Sequence, residues 1–175
     1  NFKNIKLLYN GYDPGFLPDT SKVEYFKKNI ISISTLSKLK NVDKTIEILK
    51  IINMIDKNWS LTIIGEGQER KHLVELVKKL NLMENVKFVG RVPRTEVYDY
   101  LEQHCFFINL YDIQNLTNTL WESMQMGKCV ISRSDSPLIN NIIKNNVNGY
   151  LFDINNLEAI ANKLISLHSD KEKLY

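Results

Sequence analysis

The chain has 175 residues, 43% of them apolar and 25% charged, with a formal net charge of +3. A chain of that size is most simply one domain, able to bury about 70% of its unfolded surface. The small charge argues against nucleic acid as a partner. No apolar run approaches the roughly 18 residues of a membrane span, and the first residues do not read as a signal peptide. Lys and Arg are mixed with Glu and Asp along the helices, as on a solvated surface. Cys105 and Cys129 each begin an apolar segment. They lack metal-ligand or disulfide spacing and are expected to be reduced and buried in adjacent strands.

Residues 1–29 are irregular, with turn signals at Asn10-Gly11-Tyr12-Asp13-Pro14-Gly15 and Pro18. From Ile30 onward strands and helices alternate. The apolar run Ile30 to Leu36 predicts a strand, and Val42 to Ile55 has helical periodicity. Strands are then expected at 61–64, 86–89, 106–110, 129–132 and 149–152. Helices are expected at 69–80, 95–103, 116–126, 137–144 and 156–167. Short, nearly all-apolar strands between helices mean buried parallel strands covered on both faces. The fold class is therefore α/β, a doubly wound, Rossmann-like parallel sheet of about six strands. Residues 1–29 form the lead-in and 30–175 the domain.

Such sheets bind ligands beyond the carboxyl ends of their strands. The segment from Tyr111 to Gly127 stands out there, because a polar turn follows a buried strand and opens an amphipathic helix. The first-turn N–H groups of a helix lack intrahelical partners and favour anions. Asn115 or Asn118 is the candidate cap, and Glu122 lies about one turn inside, where a carboxylate can reach ligand hydroxyls. Lys40 precedes another helix and is a candidate phosphate contact. Gly65-Glu66-Gly67 permits tight backbone approach, although the third glycine of a dinucleotide fingerprint is missing. Gly90-Arg91-Val92-Pro93 presents backbone that can meet a base edge. His72, His104 and His168 are scattered, with surface or boundary positions expected. The sequence offers no nucleophilic triad. Chemistry at such a site rests on electrostatic stabilisation of a diphosphate leaving group.

Taken together, these residues resemble the donor-binding, C-terminal half of a GT-B glycosyltransferase of the large retaining family 4. The resemblance runs from Asn10 onward. Asn10-Gly-Tyr-Asp13 with Phe16 and Pro18 is similar to the Asn-Gly-Val-Asp…Phe…Pro segment entering that domain. Ser32-Ile-Ser-Thr-Leu36…Lys40-Asn-Val-Asp43 is similar to Ser-Val-Gly-Arg-Leu…Lys-Gly-Val-Asp. Leu61-Thr-Ile-Ile-Gly-Glu-Gly67 and Val86-Lys-Phe-Val-Gly-Arg-Val-Pro93 match the next two strand-end motifs. Asn118-Thr-Leu-Trp-Glu-Ser-Met124…Gly127-Lys-Cys-Val130 resembles the helix carrying the family's second acid, and Val147-Asn-Gly-Tyr-Leu-Phe152 its Val-Asn-Gly-Leu-Leu-Val ending.

The resemblance implies transfer of a hexose from a nucleoside diphosphate sugar to a glycan or lipid-linked acceptor, with no cofactor or metal. Lys40 is then a diphosphate contact, while Gly65, Gly67, Arg91 and Val92 lie along the nucleoside. The amides of Asn118, Thr119 and Leu120 hold the distal phosphate, and Glu122 accepts from the ribose hydroxyls. It further implies a missing N-terminal Rossmann-like domain and a cytoplasmic setting, with peripheral association at the inner membrane face. On its own, the chain is then expected to bind donor weakly and turn over little.

Two positions depart from the family pattern. Thr35 stands where the family usually has Arg, and the first acid of its Glu-x7-Glu pair falls on Gln114, eight residues before Glu122. Asp112 is the alternative carboxylate. These departures motivate a second reading, a degenerate domain that binds nucleotide sugar or a protein without catalysis. A Rossmann-type dinucleotide module is a third.

Overall fold

A computed structural model describes residues 27–112 and 117–170 of the chain. Among them, six parallel strands form one sheet: β1 (Asn29–Ile33), β2 (Ser60–Ile64), β3 (Val86–Gly90), β4 (Phe106–Asn109), β5 (Cys129–Arg133) and β6 (Tyr150–Phe152). The spatial order is β3-β2-β1-β4-β5-β6. Ile31 of β1 pairs with Thr62 on one side and Phe107 on the other, so β1 is flanked by strands that lead away in opposite directions. That divergence is the switch point at which open α/β sheets hold their ligands.

Among the described residues five helices connect the strands, α1 (Val42–Ile55), α2 (Arg70–Lys79), α3 (Arg94–Glu102), α4 (Asn118–Gln125) and α5 (Pro137–Ile142), and α6 (Leu157–Ser169) follows β6. The period-2 alternation of the strands sorts their side chains onto two cores. Ile30, Leu61, Ile63, Phe106 and Ile108 join Ile46 and Leu49 of α1, Leu73 and Val77 of α2, and Ile160 and Leu164 of α6. Ile31, Ile33, Ile64, Phe107 and Val130 face Val97 and Leu101 of α3, Leu120 of α4 and Ile139 of α5. Each large side chain fully removed from water contributes roughly 1.5–3 kcal/mol. The central strands supply several such residues on both faces, which is why their sequence reads as unbroken apolar runs.

The sheet and both helical layers agree with the expected α/β class. The first strand ends at Ile33 rather than Leu36, because the backbone turns away at Ser34 and enters a 3-10 turn at Lys38–Lys40. Helix α1 starts after Asn41, which takes a left-handed conformation (φ 50°). Its side chain donates to the Leu110 carbonyl at 2.8 Å instead of capping the helix. Most of the lead-in expected at 1–29, the Asn10–Asp13 motif included, lies outside the described residues, and so do Gln114 and Asn115. Among the described residues no helix is long and apolar enough to cross a membrane.

Neither cysteine is in a disulfide; the Cys129 amide donates to the Cys105 carbonyl at 3.0 Å. Cys105 is buried and Cys129 half-buried, with burial pushing the Cys129 thiol up to about 12. One histidine departs from expectation. His104 is buried, with Nδ1 2.6 Å from the Tyr100 carbonyl and Nε2 2.8 Å from the Thr62 hydroxyl. A carbonyl can only accept, so Nδ1 carries the proton and Nε2 accepts from Thr62. Desolvation lowers the pKa of this ring, which makes it a neutral core residue.

Candidate nucleotide-binding site

A cavity of about 310 Å³ opens at the switch point. Ile33, Ser34 and Thr35 at the end of β1 and Ile64 at the end of β2 border it. Gly65, Glu66, Arg91 and Val92 line one part, and Lys40, Tyr111, Thr117, Asn118 and Thr119 another. The expected contacts Lys40, Gly65, Arg91, Val92, Asn118 and Thr119 are thus brought together from four separate strand ends. Glu122, Leu120 and Gly67 do not border this cavity.

Lys40 is half-buried, and its ammonium stands 4.1 Å from the centroid of the Tyr111 ring. Desolvation lowers its pKa, since burial disfavours the charged form, whereas the ring face favours it. An anion in the cavity would restore the lost solvation. Tyr111 is itself buried, and its hydroxyl donates to the Ile33 carbonyl, fixing the ring beneath the lysine. The Asp112 amide donates to the Leu39 carbonyl at 2.7 Å. Together with the bond from Asn41 to Leu110, this stitches the turn after β1 to the turn after β4.

Helix α4 is capped by Thr117, neither of the two residues expected from the sequence. Its side-chain oxygen accepts from the Leu120 amide at 3.3 Å and lies 3.1 Å from the Thr119 hydroxyl. The Leu120 amide is therefore already engaged by the cap, and its side chain is fully buried in the core. Of the three residues expected to hold the distal phosphate, Asn118 and Thr119 border the cavity and Leu120 does not; its amide serves the cap and its side chain anchors the helix.

The two glycines of the β2–α2 turn serve backbone packing. A Cβ on Gly65 would stand 1.8 Å from the Ser34 carbonyl oxygen, and one on Gly67 2.2 Å from that of Leu36. Gly65 also has φ +131°, a region closed to other residues. Close approach was expected, but the backbone approached is that of the neighbouring turn. Only Gly65 also borders the cavity. The Glu66 carboxylate in the same turn accepts from Arg70 at 2.8 Å.

Glu122 is 4% exposed, and its carboxylate Oε1 accepts from Arg94 Nε at 2.9 Å. That ion pair raises the Arg94 pKa through the hydrogen bond and the nearby negative charge. Glu122 is therefore a buried, paired carboxylate, unlike a solvated helix acid. Asp112 is exposed and accepts from Arg133 at 2.7 Å, while the same guanidinium grips Asp135 through two nitrogens. Sequence reasoning missed Arg94, Thr117 and Arg133 as site-building residues, and Tyr111 as the platform for Lys40. Among the described residues no group of three or more His, Cys, Asp or Glu gathers as a metal site.

A cation and a helix N-terminus face one cavity at the switch point of a 3-2-1-4-5-6 sheet, a place and a chemistry that suit an anionic ligand. Residues 20–175 match the family model for glycosyl transferases group 1, and the chain belongs to that family. It is 28% identical over 180 residues to an N-acetyl-alpha-D-glucosaminyl L-malate synthase from Bacillus anthracis, covering 97% of this chain and 46% of that protein. Its fold is that of the C-terminal domain of GT-B glycosyltransferases. Anabaena HepE, solved in complex with UDP and glucose, superposes with TM-score 0.83 at 20% identity, covering 97% of this chain and 48% of HepE. The C-terminal domain of the group 1 glycosyl transferase LpcC from Francisella tularensis superposes with TM-score 0.74 at 23% identity, over 95% of this chain and 88% of that domain. The chain spans about half the length of the first curated relatives it matches.

Proposed function

We propose that this chain is the donor-binding domain of a retaining glycosyltransferase, moving a hexose from a nucleoside diphosphate sugar to a glycan or lipid-linked acceptor. The observation that carries the reading is the cavity bordered by Lys40, Asn118 and Thr119 at one part and by Gly65, Arg91 and Val92 at another. The first group suits a diphosphate, through an ammonium and a helix N-terminus. The second offers backbone to a base. Glu122, one turn into α4 and just outside the residues that border the cavity, is the proposed acceptor for the ribose hydroxyls. Charge that develops on the departing diphosphate is met by Lys40 and the start of α4, already in place before reaction, so neither a protein nucleophile nor a metal is needed. The acceptor attacks from the leaving-group face, which preserves the anomeric configuration.

Gln114 is proposed as the donor-sugar contact; it lies outside the described residues. Asp112 is less suited to that role, since Arg133 holds its carboxylate. A second Rossmann-like domain completes the cleft and binds the acceptor, so the isolated chain binds donor weakly and turns over little. The setting is the cytoplasmic face of a membrane, where lipid-linked acceptors are reached. The competing reading, a non-catalytic member of the same fold, is favoured by Thr35 and Gln114, which remove a cation and an acid from the family pattern.

Calorimetric titration with UDP-, GDP- and ADP-sugars and with NAD tests the donor reading. A response to one sugar nucleotide, weakened by Glu122→Ala, is the expected result. Tight NAD binding with no sugar-nucleotide response refutes it. In the complete two-domain enzyme, Gln114→Glu should retain or raise the transfer rate, and a sharp loss would exclude Gln114 from the sugar contact.

A further inference from the structure

The Glu122 carboxylate is nearly sealed from solvent, and Arg94 Nε, 2.9 Å from its Oε1, is the cation that meets it. The arginine is the opposite case, with a side chain 60% exposed. A buried carboxylate is costly without a partner, and its orientation follows whichever donor holds it. A carboxylate offers about four lone-pair sites over its two oxygens. One bond from Nε to Oε1 therefore leaves acceptor capacity, chiefly on Oε2, for a vicinal diol.

Arg94 also has a telling place in the chain. It is the first residue of α3, two residues past Val92, which borders the cavity. Glu122 lies on α4, which starts at the cavity's other border, and the two helices share one face of the sheet. The ion pair thus ties the loop offered to the base to the helix offered to the phosphates, and the ribose lies between those two parts of a nucleotide. Resting on the donor reading above, we propose that Arg94 is a positioning residue: it turns the Glu122 carboxylate so that its remaining lone pairs face the ribose hydroxyls, and the preference for ribo- over 2′-deoxyribonucleotides depends on it.

Because Arg94 is mostly exposed, truncating it removes little packing; it does leave the Glu122 carboxylate without this cation, so the melting point of each variant is measured alongside its ligand affinities. The test titrates the complete two-domain enzyme with UDP, GDP and ADP, with their 2′-deoxy forms, and with inorganic pyrophosphate. The wild type should bind one ribonucleotide diphosphate roughly tenfold or more tighter than its 2′-deoxy form, as expected for a hydrogen bond to a charged acceptor. Arg94→Ala should cut that ratio by about fivefold or more while pyrophosphate affinity stays within about twofold. Arg94→Lys should restore part of the ratio, and Arg94→Ala should add no further loss on top of Glu122→Gln.

Three results would overturn the proposal. An unchanged ratio in Arg94→Ala, with nucleotide still bound, refutes the role of Arg94 and leaves the donor reading standing. An equal loss for ribo, deoxy and pyrophosphate ligands shows a merely structural residue. If the wild type binds none of the three nucleotides, the donor reading fails and the role of Arg94 fails with it.

Discussion

Single side chains at this site have tasks that their types alone do not reveal. Lys40 is proposed to meet a phosphate, and in that role it depends on Tyr111, which holds the ammonium by its ring face and is itself pinned through its hydroxyl to Ile33. Gly65 is equally constrained. Its positive φ and its approach to the Ser34 carbonyl exclude a side chain on both conformational and steric grounds. Gly65→Ala should therefore lower stability by about 2 kcal/mol or more, because the Cβ can be relieved only by moving β2 away from β1. Chemical denaturation gives the check. A midpoint unchanged from wild type would mean that the turn relaxes without strain.

At the scale of elements, α4 and the turns on either side of β1 act as one unit. Thr117 supplies an acceptor to the Leu120 amide and so fixes the direction in which the first turn of α4 points. Thr117→Ala should cost about 1 kcal/mol, the usual value of a helix cap. It should also weaken pyrophosphate binding, since the first turn loses its hold; Thr117→Ser, which retains the oxygen, should do neither. Thermal melts and pyrophosphate titration of the two variants separate these outcomes, and equal behaviour of Ala and Ser would remove the cap from the account. Arg133, a mostly buried side chain at the end of β5, ties Asp112 after β4 to Asp135 after β5.

For the whole molecule, the interior titratable groups set how stability responds to pH. Lys128 is 4% exposed, its ammonium 3.3 Å from the Glu102 carbonyl, and desolvation lowers its pKa to about 8. The unfolded chain, with an ordinary lysine near 10.5, binds more protons than the folded one between pH 8 and 10.5. Stability from this residue therefore rises with pH across that window and is least at and below pH 8. Lys128→Met should melt a few degrees higher than wild type at pH 7, with the gap narrowing toward pH 10. Melting curves at the two pH values check this, and a gap that widens with pH would reverse the assignment. His104 adds a change of the same sign lower down. Its depressed pKa means that stability falls as the medium is acidified below pH 6.5.

The sequence alone determined the layered sheet, because burial on both faces leaves a continuous apolar run in each central strand, and helical periodicity fills the gaps between them. Strand ends counted along the chain also singled out Lys40, Gly65, Arg91 and Val92, and the family resemblance added Asn118 and Thr119; all six border one cavity. What only the tertiary structure decided was how distant residues pair. Arg94 and Glu122 are 28 positions apart, and Arg133 and Asp112 are 21 apart. No local pattern links such partners, because the distance between them is set by how α3, α4 and β5 pack. The same packing reassigned the α4 cap to Thr117, turned Gly67 toward Leu36 and placed His104 in the core. Periodicity records which face of an element is buried; which atom lies opposite is settled only when the faces close.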